Sequence, residues 1–350
     1  LRSIFQMNLH LIALPHTSTT FEGFEQCAFT RKVRDFPAMM KPLGYKTFLY
    51  GSDKSDADAE LVPCITTAQQ EYFLSEYDWY QKGMYYQIPF DDNLPIWRFF
   101  IKNVIKELKK RVSQDDLILI SSPIYYKPLK REFPSIKIVE YGIGYPTVLA
   151  PYRVFESEAW RNYCYGSNPI RDHEYMNDVV IPNYYDISRF PLITKKQDYF
   201  VFMGRPNPAK GWAWIQILAS RGYHIKVAGA QEITDPNIEW VGYVDGEKKA
   251  ELLGNAKALL SPTIYLEPFG GVVAEAALCG TPAITTDWGC YHETVEHGKT
   301  GYRARNFTEI AEYVDLLDSL NPVYISTRAQ SLWSTTIVAN HYHEYFQRIK

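Results

Sequence analysis

Ala258-Leu259-Leu260-Ser261-Pro262-Thr263-Ile264-Tyr265-Leu266-Glu267-Pro268-Phe269-Gly270-Gly271-Val272-Val273-Ala274-Glu275 is the stretch whose reading decides the fold. Its first four residues read as a short buried strand. A loop then presents Glu267. A helix starts around 268–271, where proline suits a first helical position and the glycines let a ligand approach the backbone. The free amides of that helix start, with its dipole, favour an anion. Glu275 falls about two turns into the helix, so the two carboxylates lie roughly one ligand length apart. The spacing alone says little, because Glu132/Glu140 and Glu239/Glu247 share it. Only the 267/275 pair is wrapped in a strand, a Pro/Gly loop and a helix. That context favours a pocket over a capped surface helix.

The same grammar recurs upstream in Met203-Gly204-Arg205-Pro206-Asn207-Pro208-Ala209-Lys210-Gly211-Trp212. A strand over 199–203 ends, a glycine turns the chain, and a helix is expected over 209–221. Two cations beside a helix N-terminus oppose its dipole, a poor arrangement for stability alone. A bound diphosphate reverses that cost, with arginine as a fork and lysine as a point charge. Ordinary solvated cations are the bland alternative.

Outward from these two stretches, short apolar runs alternate with amphipathic ones, the signature of βα units and parallel sheets. In the first half, strands are expected over 8–14, 46–50, 117–121 and 136–141. Helices are expected over 24–43, with Pro37 as a kink, and over 96–112 and 154–165. The second half adds strands over 224–228, 238–241, 258–261 and 283–286. Its helices are expected over 247–253 and 271–279, with a helical tail from 307 broken at Asn321-Pro322. The composition shift near Pro182–Pro191 puts the domain boundary at 185/186. The expected α/β architecture is two doubly wound domains, 1–185 and 186–325. A last helix in 326–350 crosses back to the first domain. Met7 opens the first strand, so residues 1–6 read as upstream of it. Such sheets place ligands at the carboxyl ends of their strands, which puts the expected site in a cleft between the domains.

Composition agrees with two domains: 350 residues is about twice the usual size. With 37 basic against 40 acidic residues, nothing calls for nucleic acid or an anionic membrane. A hydrophobic share of 46% excludes a disordered chain. No apolar run approaches the roughly 20 residues of a membrane span, and no signal peptide is evident, which leaves only peripheral membrane contact. Five scattered cysteines without CxxC pairs point to reduced thiols and a cytoplasmic protein without a zinc site. No Asp-x-Asp closes a strand, since Asp56-Ala57-Asp58 lies in a polar turn, so neither metal nor cofactor is expected. A nicotinamide oxidoreductase lacks support, because no G-x-G-x-x-G follows the first strand.

Taken together, the motifs resemble the nucleotide-sugar glycosyltransferases of the GT-B fold, specifically the retaining glycosyltransferase family 4. Glu267 to Glu275 with the Pro268-Phe269-Gly270 loop, then Gly280-Thr281-Pro282, matches that family's pattern. Gly204-Arg205 and Lys210-Gly211 match its Gly-Arg…Lys-Gly stretch. Ile181-Pro182-Asn183-Tyr184-Tyr185-Asp186 with Phe190 looks like its interdomain segment. Trp288-Gly289-Cys290…Glu293 resembles its Gly-Gly…Glu turn with one glycine replaced, and His297-Gly298…Thr300-Gly301-Tyr302 its next turn. The resemblance covers about residues 179–305.

It implies two Rossmann-like domains facing each other across a cleft, with the acceptor on the N-terminal side and the donor on the C-terminal side. It implies transfer of a sugar from a UDP- or GDP-sugar to a hydroxyl of a glycan, lipid or small acceptor, with retention. Arg205 and Lys210 would stabilise the leaving diphosphate, Glu267 would hold the transferred sugar, and Glu275 would bind the ribose. Gly204, Phe269, Gly270, Gly271 and Val272 would line the donor site. On the acceptor side, His16 reads as a loop residue facing the cleft or as a base, and Gly23 takes the place of a diphosphate-touching glycine pair. The family's N-terminal histidine has no counterpart between 17 and 172. Glu140 and Tyr141 follow a strand in that place, where Glu140 reads either as a sugar ligand or as a capping carboxylate. Arg153, Glu156 and Trp160 share a helix face by spacing, as a site or as an ion pair. The rival functions are a sugar-nucleotide epimerase, a phosphorylase and a non-catalytic sugar-nucleotide binder. Eight of the 27 tyrosines fall between Tyr141 and Tyr185, which suggests ring platforms for an acceptor.

Overall fold

The computed structural model describes residues 7–20, 24, 27–77, 88–89, 91–167, 174–229 and 231–350. The chain divides into two compact units. The first takes 1–155, 163–181 and 339–350, and the second 156–162 and 182–338. Gly23 lies outside the described residues.

The first unit is built on strands β1 (Asn8–Ile12), β2 (Lys46–Ser52), β3 (Glu60–Ile65), β4 (Leu117–Ile120), β5 (Lys137–Ile143), β6 (Tyr152–Phe155) and β7 (Val179–Val180). They form one parallel sheet in the order β3-β2-β1-β4-β5-β6-β7. The register sets Ile12 beside Ile120 and Ile120 beside Glu140. Helices α1 (Ala28–Met40), α2 (Thr67–Phe73), α3 (Pro95–Leu108) and α4 (Tyr126–Glu132) alternate with these strands, and α5 (Glu158–Ser167) begins in the second unit's segment 156–162 and ends in the first unit. Trp97, Phe100, Val104 and Leu108 form the apolar stripe of α3 and bury against Ile12, Ile118 and Ile120. Each such side chain contributes about 2 kcal/mol of burial.

The second unit repeats the plan with β8 (Phe200–Met203), β9 (Ile225–Ala228), β10 (Ile238–Gly242), β11 (Ala258–Ser261), β12 (Ala283–Thr286) and β13 (Gly301–Ala304). The order is β10-β9-β8-β11-β12-β13, again all parallel. Its helices are α6 (Trp212–Ser220), α7 (Gly246–Asn255), α8 (Gly271–Leu278), α9 (Tyr291–Thr294), α10 (Phe307–Val314) and α11 (Pro322–Trp333). A last helix, α12 (Thr335–Ile349), ends the chain. Its Tyr342 ring lies 5.1 Å from Phe36, and His343 Nδ1 lies 2.9 Å from the Tyr45 hydroxyl, both inside the first unit. In each sheet the order reverses beside the first strand, between β1 and β4 and between β8 and β11. That reversal opens a crevice at the carboxyl ends of the strands. Two doubly wound, Rossmann-like α/β sheets are thus what the alternating pattern encodes. No helix among the described residues is long and apolar enough to cross a membrane.

Two expectations are corrected here. Residues 152–155 are strand β6, so Arg153 shares no helix face with Glu156 and Trp160. Its guanidinium pairs instead with Asp178 at 2.7 Å, deep in the first unit. Lys210 does not open a helix over 209–221: a short 3-10 turn, Pro208–Lys210, ends at left-handed Gly211, and α6 starts only at Trp212. The helix expected over 271–279, by contrast, is found as α8, behind left-handed Gly270.

Candidate active site

The site is assembled at the switch point of the second sheet, from the loops that follow β8 and β11. Asn207 Oδ1 accepts the Lys210 amide at 3.0 Å, which closes the 3-10 turn. The Ile264 amide donates to the Ala209 carbonyl at 2.9 Å, fastening the β8 loop to the β11 loop. Together these bonds place Lys210 Nζ 2.6 Å from Glu267 Oε2 and 2.9 Å from the Tyr265 hydroxyl. The ammonium also lies over the Tyr265 ring, 4.8 Å from its centre. Burial, and then the neighbouring Glu267 carboxylate, push the Tyr265 hydroxyl well above its ordinary pKa, so it stays a donor. Arg205, in the same loop, is exposed, and among the described residues no acceptor is bonded to its guanidinium.

Just beyond, Gly270 (φ 75°) lets the chain turn into α8, and the Ser157 hydroxyl donates to the Pro268 carbonyl at 2.6 Å. The Gly271 carbonyl accepts from the Tyr185 hydroxyl at 3.3 Å. Gly271 and Val272 are half-buried at the head of this helix, beside the lysine–glutamate pair in sequence. Phe269 turns inward instead: its ring packs 5.9 Å from Trp333 in the core, which leaves its backbone alone for a ligand. Glu275 is also buried, and Lys249 Nζ of α7 approaches its Oε1 at 3.2 Å. The structure therefore brings Lys210 and Glu267 into contact, keeps Arg205 exposed in the loop that carries Lys210, and buries Glu275 of α8 against Lys249.

The first unit treats its candidates differently. His16 lies in a loop and is buried. The Gln70 side chain donates to the carbonyls of Pro15 and Thr17 at 2.9 and 3.2 Å, which draws the segment inward. The imidazole packs edge-on to Trp97 at 5.8 Å, and burial lowers its pKa from 6.5 to about 3. That burial makes the imidazole a weak base near neutrality. Glu140 is fully buried, and its Oε2 accepts the amides of Leu149 and Ala150, both at 3.0 Å. The capping alternative is the one realised. Tyr141 is equally buried, with its ring 5.1 Å from Phe36 and 6.5 Å from Tyr342. Tyr184 and Tyr185 are buried too, and Tyr165 donates to Asp178 Oδ2 at 2.7 Å. Much of the tyrosine cluster is therefore structural.

His16 carries a test of its own. The native state keeps it neutral down to about pH 3, whereas the unfolded chain protonates it below 6.5. A lowered histidine pKa makes stability complete above 6.5 and lost progressively below it, by about 1.4 kcal/mol per pH unit. His16→Phe is expected to flatten the acid side of a urea-melt series between pH 6.5 and 4. An unchanged slope would contradict the burial.

Two residues of the region escape a reading of the sequence. Tyr265 lies inside the diagnostic stretch, but its bond to Lys210 depends on the loop closure. Lys249 stands in an ordinary charged helix and gives no signal at all. Glu293 is a helix cap, because its carboxylate accepts the Glu158 and Ala159 amides at the start of α5, at 2.8 and 2.9 Å. Among the described residues no cluster of three His, Cys, Asp or Glu side chains could hold a metal ion.

With this geometry in view, comparison with known proteins is informative. Residues 225–323 match the sequence family described as glycosyl transferases group 1. The glycogen synthase of Mycobacterium tuberculosis is 44% identical over 62 residues, 18% of this chain and 15% of that enzyme. The chain thus spans a small part of that relative's length. Among solved structures, AviGT4, a glycosyltransferase involved in avilamycin A biosynthesis, superposes with a TM-score of 0.69 at 20% identity, over 98% of both chains. The Anabaena protein HepE, crystallised with UDP and glucose, gives 0.66 at 14% identity, over 98% of this chain and 100% of that one. The fold is therefore that of GT-B glycosyltransferases, and the second unit carries a glycosyl transferases group 1 segment that spans β9 to β13.

Proposed function

We propose that this chain is a retaining glycosyltransferase that moves a sugar from a UDP- or GDP-sugar to a hydroxyl acceptor. The observation that carries the reading is the Lys210–Glu267 pair, 2.6 Å apart, with Arg205 unengaged in the same loop and the α8 amides next in sequence. Two cations on one loop, and a helix start that follows Glu267 in sequence, would meet the charge of a leaving diphosphate. That HepE was crystallised with UDP and glucose supports a nucleotide donor at this kind of site.

In the proposed reaction the bond between the anomeric carbon and the phosphate oxygen breaks, and negative charge grows on the diphosphate. Arg205 and Lys210 meet that charge in place, so no reorganisation is needed as the bond parts. Lys210 exchanges Glu267 for the phosphate, which frees the glutamate to accept hydroxyls of the transferred sugar. The acceptor oxygen bonds to the same face of the anomeric carbon, and its proton passes to the departing phosphate. No carboxylate nucleophile is assigned on the opposite face, so this same-face path is preferred to a double displacement. The two cations supply the charge a metal would otherwise bring, and the reaction is proposed to need none.

Thermal melts with UDP-, GDP-, ADP- and CMP-sugars in the presence of a chelator test the donor class. A true donor at 100 times its dissociation constant stabilises by about 2.7 kcal/mol. A shift with a UDP- or GDP-sugar is expected, and its absence with all four sinks the reading. Turnover abolished by the chelator overturns metal independence. An inverted anomer in the product, read by NMR, overturns retention.

A further inference from the structure

Tyr265 touches both members of the Lys210–Glu267 pair, and the proposed reaction assigns it no task. Its hydroxyl accepts from Lys210 Nζ at 2.9 Å and donates to the Glu267 carboxylate. Lys210 and Glu267 also meet directly at 2.6 Å, so ammonium, hydroxyl and carboxylate form a closed triangle of hydrogen bonds. The ammonium lies over the phenol ring as well, 4.8 Å from its centre. Arg205 is near enough for its charge to act on the same hydroxyl. Core packing does not account for this arrangement. Tyr265 is 38% exposed and belongs to no apolar cluster among the described residues. The side chain is held where it is by its polar contacts and by the bond from Ile264 to Ala209 that fastens its loop.

We propose that Tyr265 is a positioning residue, whose hydroxyl bridges Lys210 and Glu267 and keeps both aimed once a bound diphosphate has parted them. The inference rests on the donor reading above and deepens it by adding a member to the same site. A lysine ammonium carries three N–H donors on a flexible four-carbon stem. When a phosphate oxygen takes the donor that Glu267 held, a stem with no other restraint would swing, and ordering it again costs rotamer entropy. The bond to Tyr265 uses a different N–H and survives the exchange. On its other side the hydroxyl keeps its hydrogen for Glu267, so the carboxylate gives up the ammonium without being left unpaired. A hydroxyl suits this place because it accepts and donates at once. It also stays protonated here, since burial and the Glu267 charge both oppose its ionisation. The ring face limits the ammonium to one side of the phenol, which narrows its reach further.

Calorimetric titration of the full chain with UDP and with GDP, run as a double-mutant cycle, tests the proposal. Tyr265→Phe removes the hydroxyl and keeps the ring, and Lys210→Ala removes the group that the hydroxyl positions. The wild type is expected to bind at least one of the two nucleotides. Tyr265→Phe should bind it at least threefold more weakly, with an unchanged melting temperature. In the Lys210→Ala background the same substitution should alter the affinity by less than about 1.5-fold, because no ammonium remains to be positioned. An equal loss in both backgrounds overturns the proposal and makes the tyrosine an independent contact of the nucleotide. Full affinity in Tyr265→Phe overturns it too. So does a loss accompanied by a matching fall in melting temperature, which would make the hydroxyl a structural member of the loop. Binding that needs Lys210 but ignores Tyr265 sinks the bridge alone. Neither nucleotide bound by the wild type, or equal binding by Lys210→Ala, sinks the donor reading and the bridge with it.

Discussion

Lys210→Ala is expected to lower the rate of sugar transfer at least tenfold while leaving the fold intact. The ammonium and its partner Glu267 are 21% and 16% exposed, so their bridge contributes only about 1 kcal/mol to stability. The demand on the lysine in the proposed reaction is larger. Tenfold in rate is about 1.4 kcal/mol of barrier, and one donor aimed at developing charge commonly supplies twice that or more. Arg205→Ala is expected to behave alike, with even less effect on stability, because its guanidinium is exposed. Glu267→Gln keeps the shape of the site and loses a charged acceptor, and should also slow transfer at saturating donor. Glu132→Gln is the control. That carboxylate has the same eight-residue spacing to Glu140, but it sits on the surface bonded to Lys109 at 2.6 Å, and its loss should pass unnoticed. A near-normal rate in Lys210→Ala would remove the diphosphate role, and equal effects in the two glutamate variants would remove the argument from context.

The parts of this design legible in the sequence are those where local rules agree with the fold. β11 and β12 occur where the apolar runs place them, bounded by Ser261-Pro262 and by Thr286-Asp287. α8 also sits within a residue of its expected span. Illegible elements are those whose sequence contradicts their neighbourhood. β3 contains Glu60 and Pro63, poor strand residues that an edge position tolerates, and the edge is where it lies. β6 is hidden by the helical spacing of Arg153, Glu156 and Trp160. β13 is hidden by its opening glycine, which is tolerated because Gly301 runs directly against Ala283. The candidate site divides in the same way. The strand–glycine–turn grammar exposes Arg205, Lys210 and Glu267. Whether a buried carboxylate faces a ligand or its own backbone is decided by tertiary closure, as Glu140 shows with two amides of its own unit. His16 needs Gln70, more than fifty residues away, to turn it inward.

The tightest coupling between fold and site is at Gly211, and its replacement should cost the most stability of any single change proposed. Gly211 has φ 72°, a conformation that a side chain penalises by about 1 kcal/mol or more. A Cβ there would also stand 2.1 Å from the Pro262 carbonyl oxygen and 2.9 Å from its carbonyl carbon, both main-chain atoms of the β11 loop. Backbone cannot swing aside as a lysine tip can, so the β8 and β11 loops must separate. That separation would strain the bond from Ile264 to Ala209 and the Lys210–Glu267 contact that depends on it. Gly211→Ala is therefore expected to lose about 3 kcal/mol or more, at the severe end for point changes, and to lower transfer beyond what its melting curve explains. Gly222→Ala separates the two causes. Gly222 has φ 91°, behind the end of α6, and a Cβ there meets nothing within 4 Å. It carries the backbone penalty without the collision and should lose only about 1 kcal/mol. Urea melts of the two variants measure the difference directly. If Gly211→Ala is no worse than Gly222→Ala, the loops are not in contact there, and the lysine is not delivered to Glu267 by the closure described.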